Sequence, residues 1–542
     1  VQVYKYKTSP APKSPEQSER NRKYDRQLRL WGDHGQAALE GAHICVINAT
    51  GLGTEILKSL VLPGIGAFTI VDGKKITNED IGALEADSVG KSRAQVATQM
   101  LLELNSDVRG DYIDEEPEQI LCNSPDFFNN FTVVVATSLS EKSLILLSQR
   151  LWELNIPLIV CRSIGFIAYM RIQVKEHTVI ETHPDNEIPD LRLDKPFEIL
   201  KKHFDSINLD ELSFKDHSHI PYLVILYKFL EKWTLHKKDL PKTYKEKHQL
   251  KEMIKEAMRR DENDTANSEE NFEEAIKAVN TCVGHTEIPD NVMNILNDDQ
   301  CINLTAKSSS FWIIAKAVRD FVENEGAGLL PLKGTLPDMT ADTEKYITLQ
   351  QIYYKQAIAD AESVWRRTLQ LLRQLGKSSD SISEKDVKLF CRHASNIHVE
   401  KGTCIADEYD SKTFDTNDIV QSLENPESMM IYYVVLRGVE KFQAEYNSYP
   451  GEFDDQVEPD IVKLKACITK LLNEWGCGPL VKDDYVHEFC RFGGAELHSV
   501  SAFLGGLTAQ EVIKFVTNQY KPVHNTFIYD AVTSSSGIFL KL

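Results

Sequence analysis

The stretch His43–Asp72, HICVINATGLGTEILKSLVLPGIGAFTIVD, decides the fold. HICVIN is an almost unbroken apolar run of strand length, and ATGLG turns the chain on Gly51 and Gly53. Thr54–Leu62 then spaces its apolar residues as a helix does, and Ala67–Asp72 (AFTIVD) is a second buried strand. Strand, glycine turn, helix, strand is the opening of a βαβ unit. Strands apolar on both faces belong inside a parallel sheet rather than at a solvated edge.

The rhythm continues outward. A helix is expected at Ala94–Leu104, a short strand near Tyr112, a strand at Phe131–Ala136 and a helix ending at Leu154. Pro157–Cys161 and Met170–Val174 add strands, so a largely parallel sheet covered by helices follows. Upstream, Tyr24–Gly32 (YDRQLRLWG) leads into a short helix reaching about Leu39. Residues 1–23 carry basic, Pro and Ser content without an apolar segment, and read as a loose tail rather than a signal peptide.

Near Pro184 the pattern changes. From 186 to 480 the chain reads as mainly helical, with an amphipathic stripe over Ser310–Glu325. Within it, a basic stretch from Lys237 to Arg260 runs into an acidic one, Asp261–Glu274, read as a solvated helix and a linker. Beyond 481, helical spacing over Tyr485–Arg491 and Ser499–Thr517 precedes two closing strands, Thr526–Tyr529 and Gly537–Leu540. The expected organisation is a tail (1–20) and one α/β domain (21–185 and 481–542), interrupted by a helical insertion (186–480).

Composition narrows the function. The 542 residues hold 61 basic and 81 acidic side chains, a formal net charge of -20. A nucleic-acid reader needs a basic footprint, so no nucleic-acid partner is expected. Ten cysteines without a Cys-x-x-Cys pair suggest neither a disulfide framework nor a metal site. No apolar run approaches the roughly 18 residues of a membrane span, and an intracellular chain, cytoplasmic and nuclear, is expected.

The glycine turn leaves two readings open. Gly51 and Gly53 could bring backbone N–H groups and a helix N-terminus to phosphates, with Asp72 placed for a ribose hydroxyl. They could equally serve a tight turn that lets helix pack on strand, because Asn48 and Thr50 stand where further glycines would allow closer approach. A nicotinamide-dependent oxidoreductase would need a fuller glycine fingerprint and a His or Tyr constellation, and neither is found. An adaptor that uses the helical insertion is a third possibility.

The order YDRQLRLWG, strand–GLG–helix, LVLPGIGAFTIVD and, far downstream, FCRFGGAELHSVSAFLGGLTAQEVIK resembles the adenylation domains of enzymes that activate ubiquitin-like proteins. The blocks HPDN (183–186), DLRLDKPF (190–197), KTYKEK (242–247), NFEEAIKAVNT (271–281) and VKDDYVHEFCR (481–491) resemble the regulatory subunits of the neddylation-activating branch. The resemblance implies a Rossmann-like, ThiF-type adenylation fold with a catalytic-cysteine-domain-like insertion.

Catalytic members of that family carry an arginine block after the second strand, a Leu-Asp that holds magnesium and a Pro-x-Cys-Thr nucleophile. Here the matching stretches are Asp80–Gly90 (DIGALEADSVG), which is shorter and lacks arginine, and Thr137-Ser138-Leu139-Ser140, which lacks a carboxylate. None of Cys282, Cys301, Cys391, Cys404, Cys467 and Cys477 has the nucleophile's context, and each reads as an idle thiol. The resemblance therefore implies a vestigial nucleotide site at Gly51, Gly53, Asp72 and Lys91, with no metal and no cofactor bound by this chain alone. ATP and magnesium would sit in a catalytic subunit's active site, which Arg26 would reach in trans. His219, Asp338, Tyr346, Ile347, Leu349 and Gln351 would contact that subunit. The NEDD-type ubiquitin-like modifier would be a further partner, and a conjugating enzyme an indirect one.

Overall fold

A computed structural model describes residues 15–81, 84, 86–259, 269–410, 414–425, 427–478 and 482–539. The chain divides into two units, Val1–His177 with Val399–Leu542, and Thr178–His398.

The first unit is built on an eight-stranded sheet. In chain order the strands are β1 (His43–Ile47), β2 (Ala67–Val71), β3 (Arg109–Ile113), β4 (Val133–Thr137), β5 (Leu158–Ile164), β6 (Ile167–Gln173), β7 (Thr526–Asp530) and β8 (Ser535–Phe539). Their spatial order is β8-β7-β6-β5-β4-β1-β2-β3. The five strands from β3 to β5 run parallel, in register Ile44 to Phe68 and Ile44 to Val133. β6, β7 and β8 each pair antiparallel with their neighbours, so the sheet is mixed. The two-residue connection at Gly165-Phe166 imposes this, since parallel neighbours need a crossover.

Helices α1 (Pro15–Lys23), α2 (Asp25–Gly41), α3 (Gly51–Val61) and α4 (Arg93–Leu102) precede β3. Residues 15–23 are thus helical rather than tail, while residues 1–14 lie outside the described residues. The helix His498–Thr517 packs against α3, and a Cβ on Gly505 would lie 2.8 Å from Cβ of Glu55. Gly505 is therefore a close-packing residue of the core.

Residues 399–480, read from sequence as part of the insertion, lie in the sheet's own unit. The helices Met430–Tyr446 and Val457–Glu474 bury Tyr433, Val434, Leu464 and Ile468 with Ile164, Ile167 and Tyr169 of the antiparallel end. Buried ion pairs reinforce this packing. Arg162 of β5 lies 2.8 Å from Glu440, and Arg171 of β6 lies 2.8 Å from Glu408.

The second unit is helical. Tyr222–Lys237 buries Leu223, Val224, Ile225, Leu226 and Phe229 at its centre. The long helix Thr343–Gln374 adds Leu349 and Tyr353 to the same core. Of the acidic stretch read as a linker, residues 261–268 lie outside the described residues, while Glu270–Cys282 is helical.

Candidate functional site

The candidate site lies at the C-terminal ends of the parallel strands, where open α/β sheets place their ligands. Beyond Ile47 the chain turns sharply into α3. Asn48 takes a left-handed φ of 67°, and its Nδ2 donates to the carbonyl of Thr137 at 2.7 Å. That bond ties the end of β1 to the end of β4. The Thr50 hydroxyl caps α3 by accepting from the Gly53 N–H at 3.2 Å. A Cβ on Gly53 would lie 2.4 Å from the carbonyl oxygen of Asn48, so this glycine lets helix pack against strand.

Gly51 faces a different neighbour. A Cβ there would meet Oε2 of Glu496 at 3.1 Å, and the same oxygen accepts the Leu52 N–H at 2.9 Å. A helix N-terminus attracts anions because its first N–H groups have no intrahelical partner. Here the anion is a carboxylate of the chain itself. Burial pushes the Glu496 carboxyl above its usual range, against the pull of the Leu52 N–H and the Thr50 hydroxyl.

Asp72 is fully buried. It accepts from the N–H groups of Ala49 at 2.8 Å and Lys74 at 2.9 Å, and from Arg93 Nε at 2.7 Å. These bonds leave it facing inward, away from any ribose hydroxyl. Arg93 also reaches Asp80 at 3.2 Å, so the shortened segment contributes a carboxylate that neutralises it. Lys91, two residues before Arg93, is exposed in the turn that precedes α4. Thr137 Oγ1 lies 3.0 Å from the carbonyl of Asn48 and thus closes the turn rather than offering a metal ligand.

Sequence reasoning missed Glu496 and Arg93. Glu496 lies inside the quoted closing block and Arg93 two residues after Lys91, but only the folded chain shows what they touch.

Arg26 occupies the first turn of α2, exposed and without a hydrogen bond or ion pair among the described residues. Its neighbour Asp25 pairs instead with Arg29, at 3.1 Å. In the helical unit, His219 is joined to the segment 338–351 through its carbonyl, which accepts the Asp342 N–H at 2.8 Å. Asp338, Ile347 and Gln351 are exposed and Tyr346 is half-buried. Leu349 is a correction: it is wholly buried beside Tyr353 in the core, so it cannot serve as a surface anchor. Burial pushes the Cys301 thiol up to about 12 and raises that of Cys391, the reverse of what a thiolate nucleophile needs.

The ThiF family model matches residues 24–540. The chain is similar to the NEDD8-activating enzyme E1 regulatory subunit of Gallus gallus, 51% identical over 524 residues, covering 96% of this chain and 98% of that protein. The Danio rerio protein of the same name is 50% identical with the same coverage. That of Drosophila melanogaster is 48% identical over 541 residues, covering 99% of this chain and 100% of its own length.

Proposed function

Because the chain belongs to the ThiF family and, within it, to the NEDD8-activating enzyme E1 regulatory subunits, we propose that it lends structure and one cation to a catalytic partner. In this reading the partner binds ATP and magnesium. The C-terminal carboxylate of the NEDD8-type modifier attacks the α-phosphate there and pyrophosphate leaves. The acyl group then passes from the adenylate to the partner's cysteine with release of AMP, the first step of neddylation of targets such as cullins. A conjugating enzyme enters only afterwards, and the pair works in cytoplasm and nucleus.

The observation that carries this reading is a contrast between charges. Asp72, Arg93 and Glu496 are already engaged with one another's surroundings, while Arg26 stands exposed at the start of α2 with no ion pair among the described residues. A guanidinium is permanently charged and can hold two phosphate oxygens at once, which suits it to charge that develops at a neighbour's site.

The test is pyrophosphate exchange by the purified heterodimer carrying Arg26→Ala. Exchange should slow by on the order of 10²-fold, as when one preorganised donor is lost, while size exclusion shows the pair intact. An unchanged exchange rate would remove Arg26 from the mechanism.

A further inference from the structure

The nucleotide cradle of this chain is filled from within. Glu496 stands 444 positions from Leu52 in sequence, yet its Oε2 accepts the Leu52 N–H at 2.9 Å. We propose that Glu496 is a built-in anion that holds the oxyanion position at the N-terminus of α3, and that removing its carboxylate turns the cradle into a site for phosphate.

Two observations separate this role from ordinary helix capping. The α3 terminus already has its cap, since the Thr50 hydroxyl accepts the Gly53 N–H. The second oxygen of Glu496, Oε1, is buried with no hydrogen-bond partner among the described residues. A buried carboxylate oxygen left unpaired is costly, so it is a poor solution if a cap alone were needed. Gly51 completes the fit, because a Cβ there would crowd Oε2 at 3.1 Å. The charged groups facing Glu496 are Arg93 and Asp80, which pair with each other at 3.2 Å, so an incoming anion would not meet a bare carboxylate. With Glu496 in place, a nucleotide's phosphates do not fit this cradle.

Inorganic phosphate is the probe, added to the full-length chain as wild type and as Glu496→Ala. Thermal midpoints at fixed ionic strength and the ³¹P linewidth give independent readouts. The wild-type midpoint should stay constant, whereas that of the variant should rise saturably as a specific ligand requires, with matching line broadening. A wild type that responds like the variant, or a folded variant blind to phosphate, overturns the proposal. Should Glu496→Ala fail to fold, Glu496→Ser takes its place in the same two titrations, and a folded serine variant blind to phosphate overturns the proposal equally.

Discussion

Arg93 donates its Nε to Asp72 at 2.7 Å with both side chains buried. The pair locks the end of β2 to the start of α4. Breaking a buried pair leaves one charge desolvated without compensation. Arg93→Ala should therefore lower unfolding stability by about 3–5 kcal/mol. The double variant Asp72→Asn, Arg93→Met should recover most of that loss, and urea midpoints of the wild type and the two variants check it.

A second buried carboxylate fixes the helices of residues 399–480 to the sheet. Glu440 lies 2.8 Å from Arg162, 3.0 Å from Arg437 Nε and 2.9 Å from the Tyr409 hydroxyl. Glu440→Ala takes the partner carboxylate from Arg162 and leaves Arg437, among the described residues, with only the Glu408 carboxylate at 3.9 Å, and should cost about 3–5 kcal/mol. Glu440→Gln keeps the shape and should cost less. Hydrogen exchange should show the loss first in Met430–Tyr446, the helix that carries Glu440.

In the helical unit His393 is one contributor to the pH dependence. Burial depresses this imidazole from 6.5 to about 4, outweighing the Glu181 carboxylate 3.8 Å away. The unfolded chain takes up the proton first, so the folded state is favoured above pH 6.5 and loses that advantage as the pH falls through 4. His393→Gln should show a shallower decline in thermal midpoint across this window than wild type. Parallel curves would show that His393 is not the group responsible.

The βαβ opening was legible because its signals are local. Periodicity places a strand at His43–Asn48 and a helix over Thr54–Leu62; the structure has them at His43–Ile47 and Gly51–Val61, the helix beginning three residues earlier because the Thr50 hydroxyl caps it. Strand direction was not legible: an apolar run such as Met170–Val174 reads the same in either sense, and only the short link at Gly165 makes β6 antiparallel. Amphipathic spacing likewise marks the buried face of Ser310–Glu325 but not what covers it. Glu496 was beyond reach for the same reason, since its partner Leu52 is 444 residues away. Leu349 could have been placed correctly, because Tyr353 follows at i+4 on the same helical face and both are core.

That face yields a prediction that separates packing from docking. Leu349 is wholly buried, whereas Ile347, two positions earlier on the same helix, is 43% exposed. Leu349→Ala should open a cavity and cost about 2–5 kcal/mol of stability. Ile347→Ala should change stability by no more than about 0.5 kcal/mol. If Ile347 anchors the catalytic subunit, its removal should instead weaken association by more than about 1 kcal/mol, read by titrating the two purified subunits. A Leu349 variant as stable as wild type would contradict the core placement, and an Ile347 variant with unchanged association would take that side chain out of the partner interface.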